Sequence, residues 1–195
     1  MKNSFFHKRL RCSFLIFALF AFGLNQPAKA ERGEIIESKS LISFNVTSNF
    51  HKFRGNINKF SGFIYGDNRD LKSVNFLQLE FIPNHFSTKN VARDLNMKKM
   101  FSVDENPLIV FKSTHVVVSN DRSLADIKGK LTINGITKKV NFTANLSKLS
   151  NSEIKAKGSF PLKLSDFKLS PPAPAFIRVN NLVQVEFDAV ANWSY

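Results

Sequence analysis

ADIKGKLTINGITKKVNFTANL, residues 125–146, is the stretch that decides the fold. Ala125, Ile127, Gly129, Leu131 and Ile133 fall on one face of an extended run, and Asp126, Lys128, Lys130 and Thr132 on the other. A period of two is the mark of a strand with one face in a core and one in water. Asn134-Gly135 follows, the pair that suits a two-residue type I′ turn, whose central residues both need positive φ. Val140, Phe142, Ala144 and Leu146 then alternate with Lys139, Asn141, Thr143 and Asn145. The stretch predicts one long antiparallel hairpin.

The same alternation spreads outward in both directions. Ile42, Phe44 and Val46 alternate with Ser43, Asn45 and Thr47, and Leu77, Leu79 and Phe81 with Gln78 and Glu80 before Pro83 ends the run. A strand region over residues 55–65 is expected to bend or bulge near Phe60-Ser61-Gly62. Strand resumes after Pro107 through Val118. Ile154, Ala156, Gly158 and Phe160 repeat the theme, as do Val183, Val185, Phe187, Ala189 and Ala191. About eight strands separated by turns predict an all-β barrel or sandwich. One exception, residues 91–101, reads as a short helix with Val91, Leu95 and Met100 marking one side, plugging one barrel end. Pro171-Pro172-Ala173-Pro174 predicts a stiff connection at the rim, because each proline fixes φ.

The first thirty residues read as a secretory signal peptide. Lys2, Lys8, Arg9 and Arg11 precede an apolar run from Cys12 to Leu24, and Ala28-Lys29-Ala30 supplies the small-x-small cleavage pattern. The working domain is then 31–195, exported to the periplasm or the medium. Cys12 departs with the signal, so no disulfide or thiol remains. Loss of the five cations Lys2, Lys8, Arg9, Arg11 and Lys29 takes the formal charge from +13 to +8. The excess is scattered over strand lysines, which suits a solvated exterior that resists edge pairing and also suits contact with an anionic membrane. No zinc spacing, arginine-rich helix or RNA-binding aromatic motif accompanies it, so nucleic acid is not an expected partner. A homodimer is left open.

Catalytic groupings are sparse. His51, His85 and His115 lack metal-helix spacing, and there is no Gly-x-Ser-x-Gly elbow, phosphate loop or dinucleotide fingerprint. Arg93-Asp94 and Asp166 read as cap and turn residues. Triplets of the Asn-x-Ser/Thr type at Asn45, Asn141, Asn145 and Asn192 follow from polar alternation in strands. No enzyme activity, metal or cofactor is expected. The inner faces mix phenylalanine with alanine and glycine. In a closed barrel of about eight strands the small residues would leave space and the rings would wall it, although taper alone also produces such a mixture.

Four motifs, in order, resemble the YceI-like family of periplasmic or secreted proteins. They are Phe60-Ser61-Gly62; Arg93-Asp94 with MFSVDENPLIVFKST at 100–114; GKLTINGITK at 129–138; and GSFPLKLSDF at 158–167. The first strand lacks the histidine that many members of the family carry near Ser48. The resemblance implies an eight-stranded antiparallel lipocalin-like barrel with one short α-helix, holding a polyprenyl or quinone-type chain. Phe44, Leu79, Phe81, Phe111, Ile127, Leu131, Phe142, Val185 and Phe187 are the expected tail contacts, and Arg93 and Lys98 the expected contacts for an anionic head. The alternative is a side-chain-filled barrel acting as a stress-related or membrane-surface interaction module.

Overall fold

The computed structural model describes residues 31–67, 69–171 and 176–193. The signal-peptide reading of residues 1–30 and the Pro172–Pro174 part of the proline run lie outside them. The strand segments are β1 (Glu31–Ile35), β2 (Leu41–Thr47), β3 (Lys52–Ile57), β4 (Phe60–Gly66), β5 (Phe76–Phe81), β6 (Phe86–Ser87), β7 (Ile109–Val118), β8 (Leu124–Ile133), β9 (Ile136–Lys148), β10 (Glu153–Lys163) and β11 (Leu182–Asn192). The helix α1 (Val91–Met100) lies between β6 and β7.

Eleven segments occupy eight positions, because three strands are broken. β11 carries both β1, with Ile35 opposite Ala191, and β2, with Leu41 opposite Asp188, so these two form one interrupted strand. β3 pairs with β2 while β4 pairs with β1, and β6 continues β5 alongside β3. The result is a closed up-and-down meander in which every neighbouring pair is antiparallel. Closure removes the free edges an open sheet would present.

Each break has a local cause. Between β1 and β2 a 3₁₀ turn (Glu37–Lys39) interrupts the ladder, and β11 is satisfied by other means. The Val190 N–H donates to Ser40 Oγ at 2.9 Å, and the Val190 carbonyl accepts from the Ile36 N–H at 2.8 Å. Pro83, which has no N–H to give, starts the 3₁₀ turn that separates β5 from β6. The interruption expected near Phe60-Ser61-Gly62 falls instead at Asn58-Lys59, and Phe60 opens β4. The turn between β8 and β9 is as predicted: Asn134 has φ 50° and Gly135 φ 71°.

β7 contains a bulge. Ser113 pairs with Gly129 and His115 with Lys128, leaving Thr114 unmatched. One extra residue reverses the inside–outside parity of everything beyond it. Ile109, Phe111 and Ser113 are therefore buried before the bulge, and Val116 and Val118 face inward after it. The strand lysines Lys128, Lys130, Lys138 and Lys139 are exposed.

Strand register separates the two ends of the barrel. The connections β2–β3, β6–α1–β7, β8–β9 and β10–β11 gather at one end; β4–β5, β7–β8 and β9–β10 gather at the other. Trp193 closes the second end. It is 1% exposed, its indole Nε1 donates to the Gly66 carbonyl at 3.1 Å, and Leu71, Ile154 and Ala191 pack around it.

Candidate ligand cavity

The barrel is hollow. A cavity of about 490 Å³ runs inside it, within the range typical of small-molecule sites. Its girth is aromatic: the Phe142 ring centroid lies 5.5 Å from Phe111, 5.5 Å from Phe187 and 5.0 Å from a stacked Phe160. Phe44 lines it from β2, Leu79 and Phe81 from β5, Ile127 and Leu131 from β8, and Val185 from β11. The residues expected as tail contacts thus line one lumen, distributed around the barrel.

The glycines do not supply the open space assigned to them above. A Cβ on Gly55 would lie 2.1 Å from the Phe44 ring, on Gly129 2.5 Å from Phe111, and on Gly158 2.6 Å from Phe187. Each glycine is covered by a ring from the adjacent strand. The room inside comes from rings lying against the wall rather than projecting across it.

Among the described residues, polar side chains reach the cavity only at the end opposite Trp193. Ser48 and His51 come from the β2–β3 turn, and Arg93 and Asn96 from α1. Ser48 Oγ is committed to the turn, accepting from the His51 N–H at 2.9 Å. The Arg93 guanidinium sits 3.9 Å from the Phe53 ring centroid, a cation–π contact that holds it at the mouth. Among the described residues no aspartate or glutamate lines the cavity.

The helix divides the side read from sequence, with Met100 inward and Val91 and Leu95 outward. Arg93, Asn96, Met97 and Met100 turn toward the cavity, whereas Val91 is 78% and Leu95 53% exposed. At about 100° per residue, Lys98 belongs to the outer face with Val91 and Leu95, and it does not line the cavity. The head-group pair read from sequence reduces to Arg93. The cause is the anchoring of the helix. Asn90 caps it by accepting from the Arg93 N–H at 2.9 Å, and Asp94 reaches back to Thr88, accepting from its N–H at 2.8 Å and its hydroxyl at 2.6 Å. Burial alone would raise the Asp94 carboxyl, but these bonds and one from the Ser87 hydroxyl outweigh it and hold the pKa below the usual range. With Asp94 fixed toward β6, the i, i+4 pair Val91 and Leu95 points outward.

His51, Asn96, Met97 and Trp193 also line the cavity and were not among the ligand contacts expected from sequence. Three of them lie in turns or on a helix, where alternation carries no signal. Trp193 follows β11 at the inward parity of Ala189 and Ala191, which was the available clue.

Comparison with known proteins agrees with this geometry. The family model described as YceI-like domain matches residues 34–191. A UPF0312 protein of Pseudomonas paraeruginosa is 32% identical over 140 residues, covering 68% of this chain and 72% of its own length. Burkholderia cenocepacia BcnA has the same fold, with a TM-score of 0.71 at 19% identity over 81% of this chain and 99% of that one. So does a domain from Saccharophagus degradans described as polyisoprenoid-binding and implicated in plant cell wall breakdown, with a TM-score of 0.70 at 16% identity over 85% and 100%. Matched along nearly the whole barrel, and with relatives above 30% identity, this chain belongs to the YceI-like family.

Proposed function

We propose that the protein is an exported binder that sequesters or carries one polyprenyl or quinone-type chain, tail in the lumen and head at the mouth. The observation that carries this reading is the separation of chemistry along the cavity: among the described residues, an apolar bore ends on Trp193 and polar groups are confined to the opposite rim. Burying the tail contributes about 0.8 kcal/mol per methylene, and Arg93 provides the cation for an anionic head. The likeness to a polyisoprenoid-binding domain supports the ligand class, and the apolar, cation-led start of the chain supports export. No catalytic role is assigned, since the cavity lacks a carboxylate among the described residues and its one imidazole, His51, stands at the rim. The filled-barrel alternative loses its premise in a lumen of this volume.

Native mass spectrometry of gently purified protein is the test. A bound mass matching an isoprenoid chain is expected. Arg93→Gln is expected to weaken a polyprenyl phosphate about tenfold, as loss of one charge-assisted contact does, and to leave a neutral quinone unaffected. Protein recovered empty without any delipidation step would overturn the reading.

A further inference from the structure

The rim of the mouth displays apolar side chains that the fold pins in place. Phe50 is 60% and Phe176 70% exposed, and their rings meet edge to face at 6.3 Å. They are held by Asn49 between them: its side chain donates to the Phe176 carbonyl and accepts from the Arg178 N–H, both at 2.9 Å. A bridge between Ser48 and Val179 secures the same junction. Phe50 follows Ser48 and precedes His51, and Phe176 precedes Ile177; Ser48, His51 and Ile177 all line the cavity. Two phenylalanines thus face water at the opening, at the barrel end that also carries the outward Val91 and Leu95 of α1.

Charge divides along the same axis. At the closed end Arg69 pairs with Asp67, Arg122 with Asp70 and Lys39 with Glu153, while Lys72 bonds Asn120 and, among the described residues, no ion pair engages Lys148. Among the described residues, no ion pair engages Lys52, Lys89, Lys98, Lys99, Lys168 or Arg178, which stand at the mouth end. Asp104, Glu105 and Asp166 are the acids there beside Asp94, which is held by Thr88 and Ser87. An apolar rim ringed by cations matches a surface that is anionic outside and apolar just beneath. A second copy of this chain would set like charges against each other.

We propose that the mouth rim docks on a bilayer containing anionic phospholipid. Phe50 and Phe176 enter the boundary between headgroups and acyl chains, and the lysines lie on lipid phosphates. The lumen then opens onto the membrane rather than onto water. This deepens the lipid-binding reading above and rests on it for its purpose.

The test is flotation of the purified protein with vesicles of phosphatidylcholine alone or mixed with phosphatidylglycerol, at low and high salt. Binding to the mixed vesicles is expected to exceed binding to neutral ones at least tenfold, and to weaken as salt screens the charges. The pair Lys98→Glu and Lys99→Glu, and separately Phe50→Ser with Phe176→Ser, should each lower partitioning about tenfold. Lys72→Glu at the closed end should not, and both mouth variants should still take up a chain delivered from detergent, read by native mass spectrometry. Equal binding to both vesicle types, equal loss in Lys72→Glu, or a dimer that hides the two phenylalanines and never binds vesicles would overturn the proposal. The expected vesicle pattern from a protein whose lumen never holds a chain would keep the docking surface and remove the lumen reading.

Discussion

Gly55, Gly129 and Gly158 each carry a phenylalanine ring from a neighbouring strand, and these pairs govern the bore of the barrel. Within a strand, replacing glycine by alanine ordinarily stabilises, since glycine loses more freedom on folding. Here the sign reverses. In Gly158→Ala the new methyl would lie 2.6 Å from Phe187 and 2.5 Å from the Thr143 carbonyl, so the ring must swing into the lumen. The expected cost is about 1–3 kcal/mol in a urea titration, with a parallel fall in bound chain by native mass spectrometry. At this scale the sequence was informative wherever alternation applied. Phe44, Phe142 and Phe187 could be placed inward from period two alone. Which rings project and which lie flat depends on the residue across the ladder, and therefore on register. Phe50 and Phe176 sit in turns with no periodicity, so their exposure was not legible at all.

The helix is the element whose apolar side divides between cavity and solvent. Val91 and Leu95 are its apolar i, i+4 pair, and an isolated amphipathic helix would bury them. Tertiary anchoring through Asp94 decides otherwise. Because the folded Asp94 pKa is depressed, its contribution is present above the unfolded carboxylate value of about 3.9 and is lost as pH falls through the lower folded value. Asp94→Asn should cost about 1 kcal/mol at neutral pH, and the difference from the parent protein should vanish in acid; denaturant midpoints at a series of pH values measure it. The strand breaks were partly readable. Pro83 announces one of them, whereas the stop after Ile35 is made by Ser40 bonding to a distant strand. β1 itself, ERGEI, is too short and too charged to display alternation.

For the whole molecule, eight strand positions in a plain meander follow from eight alternating runs and the turns between them. Closure does not, because the seam between β11 and the β1–β2 strand joins the two ends of the chain, and local patterns say nothing about contacts so far apart. The closed barrel has one sealed end, with its arginines in ion pairs, and one open end, with cations and aromatic rings exposed. That polarity arises only when four separated connections come together.

Trp193 gives this arrangement a practical consequence. It is the sole tryptophan of the chain, and it forms the floor of the bore. Its intrinsic fluorescence is therefore a depth gauge. In a homologous ladder of guests added one isoprene at a time, emission should stay constant until a tail first touches bottom and then change abruptly. The length at that step is a ruler reading of the reach of the protein, obtained without label or crystal.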